Sequence, residues 1–499
     1  MRERLKSPPA EEIVKYLIGP RIHGDLGPDF AAMSQINLAH AVMLREQGII
    51  TAEVARPLLQ ALRAMETAGV AAIKLDPAKE DLYFNVEGAL IEKVGLEIGG
   101  QLHTGRSRND MAAAISRIKA RNEIIRIARA ALQLEERLLD LAEQNAGIVM
   151  TGYTHMQPGQ PITVGHYVTG VAQAFRRDIA RLLAAYTSAN LSALGAGAFA
   201  TTGFPINRER TAELLGFPAL IENSLDAVAS RDYVSDMLFA FSMMAITVSR
   251  FAHDLHLWFT FEYAYIDIDD SIAGTSSIMP QKKNPSPIEH LKAKAAHLIG
   301  ALMANLSGLK TTPFTHGREA GTESVTPLKE ALNQMEAVLG LCDAVVRGLR
   351  FRADNLLAHA RRNYCTLTEL ADMLVSKHGL SFRLAHEIVG TLAREASERG
   401  LAGAHEITVA LVNDVATRVT GRSLGVTEAE VTGALDPRHN VNARSVHGGP
   451  AAEPVNRMLR IGREELARAR ATIEAQADSL LQARRKLQKV VDELAGTPA

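Results

Sequence analysis

From Val164 the apolar positions run Val164, Val168, Val171, Phe175, Ile179, Leu182 and Tyr186. Steps of three and four lay one stripe along a helix, so the spacing predicts a long amphipathic helix. A second run, Met237, Phe241, Met244, Val248, Phe251, Leu255 and Trp258, keeps those steps, and its flanks Leu238, Phe239 and Ile246 are apolar too. That helix is expected to be buried on several sides. Helical patterns also cover 111–145, 288–306, 327–350 and 454–495, whereas strand-like alternation is scarce. The fold class is therefore mainly α. Long helices with a surplus of apolar faces point to bundles from several chains packing together, a homo-oligomer. Glycine-rich or polar punctuation near 99–110 and 352–369 divides the chain into 1–110, 111–355 and 356–499, an N-terminal helical part, a central long-helix bundle and a C-terminal helical part.

Composition narrows the function classes. The length of 499 residues suggests three or four domain-sized units, and 47% hydrophobic with 22% charged residues is the make-up of a globular protein with a large core. Lys and Arg total 55 against 56 for Asp and Glu, a net charge of -1, which lacks the basic excess that nucleic acid or an anionic membrane would select. The start, "MRERLKSPPAEEIVKYL", has no apolar signal core, and no stretch reaches about 18 uninterrupted apolar residues, so a cytoplasmic protein is expected. Cys342 and Cys365 are the only cysteines, too few for a disulfide framework or a Cys-rich zinc site; two reduced thiols are expected.

Three polar loops each open a helix. "QLHTGRSRND" (101–110) leads into the run from Met111 and sets Ser107, Arg108 and Asn109 at a helix N-terminus, where unpaired N–H groups and the dipole suit a carboxylate. A capped helix with a solvated arginine accounts for the same residues. "TGYTHMQPGQPITVGHY" (151–167) holds Thr154 and His155 just outside the helix from Val164, with Pro161 suited to its first turn. Histidine transfers protons near neutral pH and threonine donates to carboxylates. In "GTSSIMPQKKNPSPIEH" (274–290), Ser286 and Glu289 match a capping box, but that does not explain Ser276, Ser277, Lys282, Lys283 and Asn284. Such a segment could close over an anion and exclude water. Together the loops suggest a substrate with several carboxylates. His253 and His256 lack further ligand spacing, so no metal site is expected, and the glycines of 194–204 form a tight connection rather than a nucleotide fingerprint.

The stretches "HTGRSRND", "GYTHMQPGQPITVGHY" and "SSIMPQKKNP" resemble the signatures of the argininosuccinate lyase family, in the fumarase/aspartase superfamily. Supporting similarity runs through 85–95, 223–236 and 370–390. The resemblance implies a three-domain helical subunit in a homotetramer with a twenty-helix bundle, whose active sites take the three loops from three subunits. It also implies β-elimination of fumarate from an N-substituted aspartate without metal or organic cofactor. In that chemistry Ser276 or Ser277 is the base, and Lys282 and Asn284 hold the enediolate. His155, partnered by Glu289, assists proton transfer toward the leaving nitrogen. Ser107, Arg108, Asn109 and Thr154 bind carboxylates, with Met279 and Gln281 of the closing loop also touching substrate. Lens crystallins share the fold, so a non-catalytic structural homologue is the alternative.

Two segments depart from the family pattern. Where relatives carry a stretch like "AYNKDLQEDKE", this chain has "THGREAGTESV" (315–325), which puts His316, Gly321 and Ser324 at the positions of the tyrosine, glutamine and lysine. "GPRIHGDLGP" (19–28) replaces "WGGRF", and Thr275 replaces the glycine before the double serine. The dicarboxylate end is thus intact and the amine end altered, so the expected substrate is argininosuccinate or a related aminopolycarboxylate such as ethylenediamine-disuccinate.

Overall fold

The structure, a computed structural model, describes residues 7–496. After α1 (Leu26–Glu46), α2 (Ala52–Ala68) and α3 (Leu82–Val94) the chain enters the 37-residue α4 (Arg108–Gln144). It continues through α5 (Val164–Ala189), α6 (Asp232–Phe259), α7 (Ser286–Leu309) and α8 (Pro327–Gly348). A smaller group, α9 (Leu367–His378), α10 (Phe382–Glu398) and α11 (Val409–Thr420), precedes the 44-residue α12 (Ala452–Ala495). All six long helices expected from the apolar stripes are present, close to the expected bounds. Sheet is confined, among the described residues, to three short antiparallel pairs: β1 (Val149–Thr154) with β2 (Gln157–Thr163), β3 (Ile266–Ile268) with β6 (Leu349–Phe351), and β4 (Gly274–Thr275) with β5 (Lys283–Asn284).

Helix starts follow local chemistry, with two corrections. Ser107 caps α4 in a reciprocal box with Asp110, and Thr163 caps α5 by accepting from His166 N at 3.0 Å. Pro161 lies in β2 opposite Thr151, not in the first turn of α5; a two-stranded ribbon has a free edge that tolerates its missing N–H. The capping box read at Ser286 and Glu289 does not form. Ser286 is already helical, and the carbonyl of Pro285 accepts from Ile288 N at 2.9 Å and Glu289 N at 3.3 Å, leaving those donors satisfied without a side-chain cap.

Three large cores and a small cluster around Ala113, Ala193 and Ile221 hold the described residues together. The central one packs α4 to α8 through Ile124, Phe175, Phe241 and Met335. Burying each of these phenylalanines contributes roughly 2–3 kcal/mol. A second core joins α1 to α3 with the first turns of α4, and a third is built from Leu374, Ile388 and Val412. The expected grouping of 356–499 departs at α12. Its Val455, Leu459 and Ile473 belong to the central core and Leu487 and Val491 to the N-terminal one. Helix α6 is long and apolar enough to cross a membrane by length and composition, but over half of its most apolar stretch is packed inside the bundle. Cys342 and Cys365 are both buried and free.

The bundle has two ends, fixed by side chains that tie neighbouring helices. At one end Arg117 donates to Ser188 O at 2.8 Å and Ser230 Oγ at 3.1 Å, and Tyr233 donates to Ser116 Oγ at 2.6 Å. Ser235 donates to Asn305 Oδ1 at 2.6 Å. This end therefore gathers the starts of α4 and α6 and the ends of α5 and α7. At the other, Tyr167 donates to Asp254 at 2.5 Å and His256 lies 3.8 Å from Glu289, which gathers the starts of α5 and α7 and the end of α6.

Candidate active site

Ser107, Arg108 and Asn109 stand at the first end. Asp110, fully buried, accepts from Ser107 N at 3.0 Å with one oxygen and from Gly195 N and Gly197 N at 2.9 and 3.0 Å with the other. It thereby locks the motif onto the loop after α5. Burial pushes its carboxyl up to about 6, against the opposing pull of these backbone donors. Both glycines have positive φ, and a Cβ on Gly195 would sit 2.6 Å from Arg208 Cγ, so the glycine-rich stretch of 194–204 serves this lock. Asn109 Nδ2 donates to Ala198 O at 3.2 Å.

Arg108, though partly exposed, is paired. Its Nη1 is 2.8 Å from Asp81 and 3.6 Å from Glu80, and its guanidinium lies 4.2 Å over the Phe84 ring. Behind it the buried Arg106 has all three guanidinium nitrogens without a hydrogen-bond acceptor, a costly arrangement that raises the positive potential at the start of α4. The variant segment 315–325 folds onto the same end. Glu319–Glu323 form a single π-helical turn, and a Cβ on Gly321 would lie 3.6 Å from His316 and 3.7 Å from Arg231 Nη2. Ser324 is buried, donates to Ala320 O at 2.7 Å and packs against Gly308, so that position cannot extend a side chain toward a ligand. Of the three altered positions, only His316 presents a polar group.

Thr154 and His155 stand at the other end, on the tip of the β1–β2 hairpin rather than merely outside a helix. Thr154 pairs with Gln157, and His155 and Met156 between them have φ of 51° and 60°, a two-residue turn with both residues left-handed. Neither is glycine or asparagine, so the turn stores strain at an exposed histidine. Next to the turn, the hairpin is tethered by a 2.5 Å hydrogen bond between the Tyr153 and Tyr265 hydroxyls. A cavity of about 630 Å³ lies beneath, lined by Thr154, His155, Tyr153, Tyr167, Trp258 and Tyr263.

The third loop projects from that end as a second hairpin, β4–β5. It separates the two serines and the two lysines. Ser276 Oγ accepts from Met279 N at 3.0 Å and so belongs to the turn, whereas Ser277 is exposed with no hydrogen-bond partner. Lys283 is held by Asp267 at 3.0 Å, Asp270 at 2.8 Å and Ile268 O, whereas Lys282, Gln281 and Met279 are exposed. Asn284 Nδ2 reaches Thr275 O at 3.4 Å. Glu289 faces His256, whose other nitrogen lies 3.1 Å from the Lys292 ammonium, so within one chain Glu289 is beside His256 rather than His155. An ammonium at the ring also makes His256 a poor metal ligand.

Within one chain, therefore, Ser107, Arg108, Asn109 and His316 share one end, and Thr154, His155 and the 276–289 loop share the other. The sequence reading missed Asp110, Arg106, Asp81 and Arg231, although Asp110 and Arg106 lie in the quoted first motif and Arg231 in the 223–236 segment.

The family model described as Lyase matches residues 30–300, and the one described as Argininosuccinate lyase C-terminal matches 364–442. The fold is shared with the class II fumarase of Schistosoma mansoni at 15% identity, TM-score 0.66, over 82% of this chain and 90% of that one. Two structures of EDDS lyase, one with formate and a variant with fumarate bound, match at 33% identity and TM-score 0.87 over 98% of this chain and 97% of theirs. Argininosuccinate lyase 1 of Shouchella clausii is 43% identical over 93% of each chain. The chain belongs to the argininosuccinate lyase family. It is a carbon–nitrogen lyase, and identity at this level to curated lyases favours the enzyme over the structural-protein alternative.

Proposed function

We propose that the enzyme releases fumarate from an N-substituted L-aspartate by β-elimination, with Ser277 as the base. The observation that carries this assignment is the division of labour in the closing loop: Ser276 and Lys283 are consumed by local structure, while Ser277 and Lys282 are free. Removing a proton beside a carboxylate creates a doubly charged enediolate, so the site must supply positive charge as well as a base. Lys282 supplies the charge from the closing loop, and Asn284 adds an amide N–H donor. Serine is too weakly acidic in water, and its oxyanion forms only when closure puts it among cations and helix N-termini out of solvent. His155 delivers a proton toward the departing nitrogen, and Ser107, Asn109 and Thr154 bind carboxylates.

One chain cannot complete this site. Helix α5, 26 residues long, separates the two ends by about 39 Å, far beyond the span of one succinyl group. The two ends meet only if another copy lies alongside, which supports a homotetramer with shared sites. Phe239 at 48%, Met303 at 56% and Leu306 at 44% exposure leave apolar surface on α6 and α7 for that contact. We place the enzyme in the cytoplasm, acting on argininosuccinate or a related aminopolycarboxylate such as ethylenediamine-disuccinate.

The test is fumarate absorbance with purified protein and each of these two substrates. Release from argininosuccinate makes arginine the product; release from ethylenediamine-disuccinate alone means that the altered segments rewrote the amine site. No fumarate from either, in either direction, refutes the reading.

A further inference from the structure

The two segments that depart from the family pattern, 19–28 and 315–325, come together at the first end of the bundle, and each contributes cations. Arg21, from the first, lies 3.7 Å from Asp81, the carboxylate that also holds Arg108 at 2.8 Å. His316 and Arg318 come from the second, with the His316 ring and Arg231 Nη2 both within 4 Å of one point over Gly321. Arg231 is 2% exposed; its Nη1 is spent on the carbonyls of Ser230 at 2.6 Å and Val228 at 3.4 Å, but its Nε is buried with no acceptor. The Nδ1 of His316 is likewise buried without a partner. Arg21 and Arg108 share the carboxylates Asp81 and Glu80, while Arg231, Arg318 and Arg21 are the cations that act on His316. Electrostatics agree with the geometry. Burial, then Arg231, Arg318 and Arg21, hold His316 below the usual imidazole range, and burial, then Arg318, hold Arg21 below its own.

A cluster of like charge with buried donors left open is stable only if something negative completes it. Guanidinium forks match carboxylates in two-point geometry. Because Arg108 and Asn109 are also at this end, the cluster adjoins the substrate-binding start of α4 and faces the part of the substrate that is not the succinyl group.

We propose that Arg21, Arg231, Arg318 and His316 form a specificity pocket for an amine whose remote end carries net negative charge, an amino-carboxylate with a second free carboxylate. The inference rests on the lyase reading. A tyrosine, glutamine and lysine at the altered positions would offer a single cation; here the lysine position is sealed by Ser324 and the charge is moved to Arg21 and Arg318. A zwitterionic remote end gains one carboxylate contact but brings an ammonium into the same field. A neutral remote end gains nothing.

The test is calorimetric titration of the intact protein with three free amines, N-(2-aminoethyl)aspartate, arginine and butylamine, run beside the fumarate assay on the corresponding N-substituted aspartates. Loss of one charge-assisted hydrogen bond corresponds to roughly tenfold in affinity. The expected result is that the diacid amine binds about tenfold or more tighter than arginine, butylamine binds weakest, and the order collapses in the Arg21→Gln, Arg318→Gln double variant. Both side chains reach solvent, so the double variant is expected to fold. Equal binding of the three amines, or an order that survives the double variant, overturns the proposal whether or not fumarate is released. The expected order without fumarate release upholds the pocket and refutes the elimination instead.

Discussion

The two ends of the bundle are built on opposite principles. At the arginine end the central polar groups are held in place: Asp110, fully buried, takes three backbone donors, Arg108 is bracketed by Asp81 and Phe84, and Arg231 lies almost wholly inside. At the serine–histidine end Ser277, Lys282 and His155 are exposed on two hairpins and held by few contacts. The difference matches two tasks. Recognising carboxylates benefits from donors fixed before the ligand arrives, because no ordering cost is then incurred on binding. Generating an alkoxide benefits from a segment that is wet when open and dry when closed. Elements that move must come from the weakly held part of a fold.

The largest expected effect separates the two serines of the hairpin end. Ser277→Ala removes the proposed base and is expected to lower kcat for fumarate release by about 10³-fold or more. Ser276→Ala removes the acceptor of two turn hydrogen bonds, from Met279 N at 3.0 Å and Ile278 N at 3.4 Å, a loss of about 1 kcal/mol, and is expected to cost about tenfold through poorer loop closure. The reverse order in steady-state kinetics would assign the base to Ser276 instead.

The next test joins the ends. Asn109→Ala is designed to cripple the arginine end and Ser277→Ala the hairpin end, so each homogeneous variant is expected to be inactive. Co-folded mixtures should regain activity, because some sites draw one intact end from each chain. If mixtures stay as inactive as their parents while size measurements show mixed oligomers, the shared site is wrong.

How much of this contrast could be read from the sequence depends on range. The long helices were legible because an apolar stripe is a local pattern, repeated over many turns. The three motifs were legible because each combines a helix start with unusual polar chemistry. The hairpins were not. Gln157–Thr163 contains two prolines, which argue against a strand, and the His155–Met156 turn lacks the glycine or asparagine that signals a left-handed pair. The capping box at Ser286 was a true local pattern overridden by the Pro285 carbonyl. The Arg21, Arg231, Arg318 and His316 cluster was invisible, since its members come from three distant segments and only the packing of α4, α6 and α7 brings them together.

A smaller effect concerns the rigidity of the arginine end. Asp110→Asn replaces an acceptor of three backbone bonds by a group with one acceptor oxygen and a donor that faces N–H, and is expected to destabilise by about 2 kcal/mol in denaturant titration. The pH dependence carries a separate signature. Because the native carboxyl sits at about 6 against an ordinary 3.8, the native state keeps a proton that the unfolded chain releases between those values. The stability that this proton adds is full below 3.8 and is lost as pH rises through about 6; a shift of this size is worth roughly 3 kcal/mol. The variant should show a flatter profile over that window, so the gap between the two proteins should narrow as pH rises.

The smallest effect tests whether strain at the hairpin end is kept for function. His155 and Met156 both adopt positive φ, and a side chain in that region costs about 1–2 kcal/mol relative to glycine. Met156→Gly relieves one such cost, but glycine also gives the unfolded chain freedom worth roughly 0.5–1 kcal/mol. The net gain is therefore expected to be a few tenths to about 1 kcal/mol, read as a slightly higher Tm. Activity should move the other way. A glycine lets the hairpin tip sample more backbone states, so His155 spends less time aimed at the leaving nitrogen, and kcat should fall several-fold while KM, set mainly at the arginine end, changes little. A variant that is both more stable and equally active would mean that the left-handed pair merely tolerates its side chains, and that the contrast between a fixed binding end and a strained catalytic end does not extend to this turn.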